Sequence, residues 1–440
     1  MPGELQPRIA DHVNHIVQAF QSRGTDTRSE NHPGGGMDFL HAERQIVVRA
    51  EYRDRVLSIL QRATQHRASV VPSRVEPVTR GVELLHFDPA DDRTDGWVLG
   101  LIEEIDRELG RGIATPNHVL TVTGDMHPCP ATEPEEVEDG IEPYPGVRQE
   151  NSGTGVLIYI ADTGLLKGAE ISHPWLRGVS CDETSHPWRA GDGDRSDEDE
   201  LPPPEKLPDG QVIQPIGVYD GHGTFVAGVA RCMAPDADII VGNVFNTAGS
   251  ALETDFVRKL DEALNHGVDI FHLSVATPTR NDHALVSLEG WMRQLRDYKG
   301  TVCVVAAGNS QARRPCWPAA FPGTVSVGAL APDRRSRADF SNYGGWVDVY
   351  APGADLVNAY ASGIYTCHAT PFKDEERTFH GMAKWSGTSF STPIVTGLIA
   401  ARMSHTGENA QQAVAALLTE ARTKAIPGVG PVLLPDHSVA

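Results

Sequence analysis

The sequence predicts an α/β fold, with a mostly parallel sheet flanked by helices, preceded by a small α+β module of ferredoxin-like pattern. Three observations carry this. From about residue 153 the chain holds short, continuously apolar runs: GVLIYIADTG, ADIIVGNVF, VDIFHLSVA, TVCVVAAGN and TVSVGAL. Such runs suit strands buried on both faces. Segments of helical period, such as TDFVRKLDEALNHG, separate some of them. Upstream, residues 44–124 read as strands and helices in the order β-α-β-β-α-β.

The elements follow in chain order. In MPGELQPRIADHVNHIVQAF, Ile9, Val13, Ile16, Val17 and Phe20 fall on one helical face. The opposite face (Asp11, His12, Asn14, His15) is mixed rather than basic, and no basic-then-apolar leader is present. The helix is therefore expected to dock on protein, not on a membrane. TDTRSENHPGGG reads as a linker, closing a first division at residues 1–36. Within an α+β module at 37–125, ERQIVVRA (44–51) is a strand and RDRVLSILQRAT (53–64) an amphipathic helix. A strand pair over 75–88, the helix GWVLGLIEEIDREL and the strand HVLTVTG complete it. Residues 126–152, rich in proline and glutamate, read as an extended linker. The α/β domain is placed at 153–425 and a tail at 426–440.

Composition narrows the function. The net charge of −21 disfavours nucleic acid or an anionic membrane as partner. No apolar run reaches the roughly 18 residues of a membrane span. Cys129, Cys181, Cys232, Cys303, Cys316 and Cys367 are widely spread, without zinc-like spacing. Reduced thiols in a cytoplasmic protein are the expectation.

Apolar strands of this kind deliver polar residues to one edge, here Asp162, Ser274 and Asn309. Three further stretches stand out: IADTGLL, DGHGTFVAGVA and WSGTSFSTPIVTGLIAA. Each alone has a plain structural reading: a turn after a strand, a helix entry with a satisfied histidine, and an N-cap. Together they supply an Asp, a His and a Ser on separate elements. A serine hydroxyl attacks an amide only when an imidazole takes its proton and a carboxylate orients that imidazole.

D-T-G at 162–164, G-H-G-T-x-V-A-G at 221–228 and G-T-S-x-S-x-P at 387–393 resemble the signatures of subtilisin-like serine proteases. Their order, Asp then His then Ser, is that of subtilisin. A-A-G-N at 306–309 and FSNYGGWVDVYAPG at 340–353 are also similar to family segments, so the resemblance spans roughly 153–402. It implies Ser389 as nucleophile, His222 as base and then acid, Asp162 as its orienting partner, and Asn309 with the Ser389 N–H as oxyanion donors. Of the five hydroxyls between 386 and 392, one would do chemistry and the others, such as Thr388 and Ser391, would shape the turn.

The resemblance further implies an extended peptide or protein substrate, held between Ala248-Gly249-Ser250 and Ser274-Val275-Ala276. The pocket for the residue before the cut would be lined by Ala307, Gly308 and Cys316. The family usually has glycine where Ala276 stands, so its methyl should narrow that pocket toward an uncharged residue of medium size. Residues 37–125 resemble the family's propeptide and would act as an inhibitor, with GIEPYPG crossing the cleft or being cut. The insertion at 181–209 holds ten acids against three bases and would favour basic peptides. As a calcium loop it fails: Asp192, Asp194 and Ser196 fit, but Asp197 replaces the glycine and Pro203 the terminal glutamate. No cofactor is required, no metal ligand is assigned, and calcium is left unassigned. The expected activity is serine endopeptidase, in precursor processing or under autoinhibition. The alternatives are a catalytically silent peptide-binding homologue, or an esterase or transpeptidase using the same triad.

Overall fold

The computed structural model describes residues 7–31, 37–63, 71–88, 96–122, 131–148, 151–182, 198–199, 201–206, 212–368 and 371–436.

The apolar runs become a seven-stranded parallel sheet. Its strands are β6 (Leu157–Asp162), β7 (Val179–Cys181), β8 (Asp238–Asn243), β10 (Ile270–Leu273), β11 (Val302–Ala306), β12 (Thr324–Leu330) and β13 (Val349–Pro352). They lie side by side as β13-β12-β11-β10-β6-β8-β7. The chain enters in the middle, at β6, runs outward one way, then returns to build the other half. That reversal opens a crevice beyond the carboxyl ends of β6 and β10. Helices α4 (His222–Met233), α7 (Thr388–Thr406) and α8 (Ala410–Thr423) cover one face; α5 (Glu253–Leu264) and α6 (Val286–Leu295) cover the other.

The N-terminal module comprises β2 (Met37–Arg49), α2 (Arg53–Ala63), β3 (Arg74–Thr79), β4 (Val82–His86), α3 (Trp97–Leu109) and β5 (Ala114–Thr121). Its strands order as β5-β2-β4-β3, all antiparallel, the ferredoxin-like arrangement. Helices α2 and α3 cover one face, around Val56, Leu60, Val98 and Ile102. The other face carries Val47, Val82, Leu84 and Leu120, which share a core with α5 and α6 of the large domain. The module is thus half a sandwich, completed by its neighbour.

Three boundary readings change. Thr27–Asn31, expected within a linker, forms β1 and pairs with β2; the alternating pattern is short, and pairing with an existing edge supplies what propensity lacks. Residues 131–148 are not a free linker: Glu135 and Tyr144 make backbone pairs with Lys384 and Val357. The supposed tail at 426–436 is docked, with Leu433 fully buried and Tyr350 paired to Val432. The amphipathic helix α1 (Pro7–Gln21) docks on this same chain. Val13, Ile16 and Phe20 pack with Val119, Ala248 and Leu252.

Candidate active site

Asp162 ends β6 and is fully buried. His222 is the first residue of α4, entered through Gly221, whose φ of 79° lies in the left-handed region. Its Nδ1 lies 2.6 Å from Asp162 Oδ1, which also accepts the Thr163 N–H at 2.8 Å. A carboxylate only accepts, so this contact fixes the proton on Nδ1 and leaves Nε2 as the basic atom. The rings of Trp385 and Phe390 pack on the imidazole at 5.7 and 5.3 Å between centroids. Nε2 is buried and makes no hydrogen bond among the described residues, so the Ser389–His222 bond is not closed. Such bonds commonly tighten only with substrate in place.

Ser389 is the second residue of α7, buried beside the helix N-terminus, where unpaired N–H groups favour developing negative charge. Thr388, read from sequence as a turn residue, does more. Its N–H and its Oγ both donate to Asn309 Oδ1, each at 2.8 Å. With Oδ1 so committed, the donor Nδ2 is the other end of the amide. Asn342, which the sequence reading missed, braces the same loop. Its Nδ2 donates to Ala307 O, and its Oδ1 accepts from the N–H groups of Ser310 and Ala312. Gly308 takes φ 99°, and a Cβ there would meet Asn342 Nδ2 at 2.5 Å. Ala307 and Cys316 line this buried region, and the Ala276 methyl faces Gly308 at 3.6 Å from where its Cβ would stand.

A second missed group is His272, at the centre of β10. Its Nδ1 is 3.0 Å from Thr396 Oγ and its Nε2 2.9 Å from Ser274 Oγ, while Ser274 Oγ donates to the carbonyl of Ser389 at 3.2 Å. Because Ser274 spends its proton on Ser389, His272 must donate from Nε2 and accept at Nδ1. Burial first, and the neighbouring His222 second, push its pKa down to about 3. It is neutral by construction. No sequence motif marks it, since a histidine in an apolar strand reads as core.

The segments expected to hold substrate here hold the chain itself. Residues 248–250 are shaped by Asn246, whose Oδ1 accepts from the N–H groups of Ala248 and Ser250 and from Ser250 Oγ. Strand β9 (Ser250–Leu252) pairs antiparallel with β5, placing Ser250 opposite Thr121 and Ala251 opposite Leu120. Val122 donates its N–H to Gly249 O at 3.1 Å, and Ala276 donates its N–H to Thr121 O at 3.2 Å. The end of β5 is therefore clamped between the two segments. GIEPYPG is not: Tyr144 pairs with Val357. Val275 is buried beside the clamp.

Among the described residues no group of three or more His, Cys, Asp or Glu is placed to hold a metal ion. Asp192, Asp194, Ser196 and Asp197 of the insertion lie outside the described residues.

Fold and site together describe an α/β protein with a buried Asp162–His222 pair at the carboxyl edge of a parallel sheet, and Ser389 at a helix N-terminus tied through Thr388 to Asn309. The model of the subtilase family matches residues 153–431, and the chain belongs to that family. It is 32% identical over 221 residues to the thermophilic serine proteinase of Bacillus sp. (strain AK1), covering 46% of this chain and 49% of that protein. To thermitase of Thermoactinomyces vulgaris it is 28% identical over 278 residues, covering 60% and 80% respectively. Among solved structures, a cold-adapted subtilisin-like serine proteinase is similar at 22% identity and TM-score 0.47, over 66% of this chain and 92% of the other. The chain spans about half the length of the first curated relatives it matches.

Proposed function

We propose that this chain is a serine endopeptidase, held inhibited by its own N-terminal module and acting in limited processing of a peptide or protein precursor. The observation that carries the reading is the buried 2.6 Å contact between Asp162 and His222, beside a serine at a helix N-terminus. Ser389 Oγ attacks the scissile carbonyl carbon while its proton passes to His222 Nε2. The carbonyl π electrons move to oxygen, which the Ser389 N–H and the Asn309 side-chain amide receive. Collapse expels the amine, which takes the proton back from Nε2. Water then repeats the sequence on the acyl-enzyme. Asp162 stays ionised and steadies the imidazolium. Nothing in these steps calls for a metal.

The inhibitory part rests on β5. A strand clamped by backbone bonds between residues 249–251 and Ala276 occupies the space that an extended substrate would need. The hydrogen bonds of Val122 to Gly249 and of Ala131 to Ser386 support self-cleavage between these two residues rather than at GIEPYPG. The wide spread of the six cysteines, without paired spacing, supports a reducing, cytoplasmic setting.

The test is fluorophosphonate labelling with peptide mapping and intact mass, on the full chain, on Ser389→Ala and on Val122→Pro, which deletes the N–H donated to Gly249. Label on Ser389, stronger in Val122→Pro, is the expected result. Well-folded protein that takes no label in either the full chain or Val122→Pro would overturn the enzyme reading in favour of a silent peptide binder.

A further inference from the structure

The stretch Ala131–Glu136 is bound with more care than a connection needs. Ala131 donates its N–H to Ser386 O at 3.2 Å, three residues before the nucleophile. Glu135 exchanges both backbone hydrogen bonds with Lys384, at 2.8 and 2.9 Å, and its carboxylate meets Lys384 Nζ at 2.6 Å. Lys384 and Ser386 lie at the end of β15 (Glu376–Trp385), the outer strand of a hairpin with β14 (Leu356–Thr366). The segment therefore bridges to a sheet edge that leads directly to Ser389.

Each glutamate of the segment is received by donors. Glu133 is 5% exposed, and its two oxygens accept from Tyr365 Oη at 2.5 Å and the His368 N–H at 2.7 Å. Glu136 accepts the Thr378 N–H at 2.5 Å. Arg377 donates to Pro134 O at 2.7 Å, and Trp385 Nε1 donates to Thr132 O at 2.8 Å. A buried carboxylate with two matched donors is costly to replace by an apolar or amide side chain.

Direction gives this surface its meaning. Val122 is hydrogen-bonded to Gly249 at the clamp, and Ala131 to Ser386, three residues before the nucleophile. A substrate running the same way would place its half before the cut on residues 249–251 and its leaving-group half along Ser386, Trp385 and Lys384. We propose that the edge of β15, with Tyr365, the His368 N–H, Arg377 and Lys384, is the site for the leaving-group half of the substrate. It selects acidic segments, and residues 131–136 fill it as a second self-inhibitory contact. This rests on the endopeptidase reading for its catalytic role, but the recognition chemistry stands on the contacts alone. It also reverses the expectation of basic peptides for this half of the cleft.

The experiment uses the full chain with Glu133→Gln, Glu135→Gln and Glu136→Gln, isosteric changes that keep the shape and weaken the hold. Circular dichroism confirms the fold. Hydrogen exchange at Thr378 and Lys384 should quicken. Labelled acetyl-Ala-Thr-Glu-Pro-Glu-Glu-amide, titrated to millimolar concentration, should then bind about tenfold more tightly than its glutamine counterpart. Adding Lys384→Ala should reduce that preference. Unchanged exchange, or equal binding of the two peptides, overturns the inference. In parallel, quenched peptides differing only in Glu or Gln after the cut should show a KM about tenfold lower for Glu. Equal KM values with Ser389 labelled by fluorophosphonate would overturn the acidic selectivity alone. Absence of label would instead strike the endopeptidase reading, and the binding comparison would still decide the site.

Discussion

Thr388 shows how much a single side chain can decide at this site. The Asn309 amide could point either way; two donors from Thr388 leave one orientation. Thr388→Val keeps the shape, retains the backbone donor and removes the hydroxyl. Turnover should fall with little change in KM, by less than the roughly 10²–10³ expected of Asn309→Ala, because only one of two restraints is lost. Steady-state kinetics on one peptide amide would check this. His272 makes a pH prediction. Its pKa in the folded protein, about 3, lies below the ordinary 6.5, so the folded state binds fewer protons than the unfolded chain in that interval. The stability it contributes is complete above pH 6.5 and is lost progressively as pH falls toward 3. His272→Asn should flatten that acid arm of stability in denaturant titrations between pH 7 and 4. An unchanged slope would show that other groups dominate.

At the scale of elements, β5 carries the argument. Its residues 114–121 are buried throughout, although five of the eight are polar or proline. Two of the polar ones have side-chain partners across the boundary. Asn117 Nδ2 reaches Thr254 Oγ at 2.9 Å, and His118 Nδ1 lies 3.2 Å from Glu253. Leu120 is the apolar anchor, with no exposure. Leu120→Ala should cost about 2–5 kcal/mol at the clamp. The full chain should then take fluorophosphonate label on Ser389 much faster than the parent. Equal labelling rates would mean that the clamp does not limit access.

At the scale of the whole molecule, the module and the large domain share a core that neither closes alone. Arg49–Glu289 at 2.5 Å and Arg280–Asp106 at 2.7 Å add part-buried ion pairs at its rim. After self-cleavage the module should therefore remain attached, the two pieces co-eluting in size-exclusion chromatography at pH 8. Acid should loosen them. Burial lowers the pKa of His118 more than Glu253, beside it, restores, with His41 and Arg280 adding to the lowering. Association that requires neutral His118 is complete above pH 6.5 and weakens as pH falls below it. Separation at pH 8 but not at pH 5 would contradict this.

The sequence by itself determined the parallel sheet, because apolar runs closed by Asp162, Ser274 and Asn309 allow no half-exposed strand. Through the resemblance of its motifs to the subtilase signatures it also singled out Asp162, His222, Ser389 and Asn309, since strand ends and glycine turns are local features with local signatures. The order of the module's elements was legible for the same reason: periodicity is written along the chain. What only the tertiary structure decided is which segments meet. Thr388 on Asn309, His272 on Ser274, β5 between Gly249 and Ala276, and Glu133 under Tyr365 join residues from about 80 to more than 230 positions apart, His272 and Ser274 excepted. Hydrogen bonds and backbone pairing leave no periodic trace, because any polar residue or extended stretch can supply them. Residues 126–152 looked like a linker for that reason: their glutamates are ordinary solvated groups in sequence, and become anchors only where folding brings Tyr365, Lys384 and the amides of His368 and Thr378 to receive them.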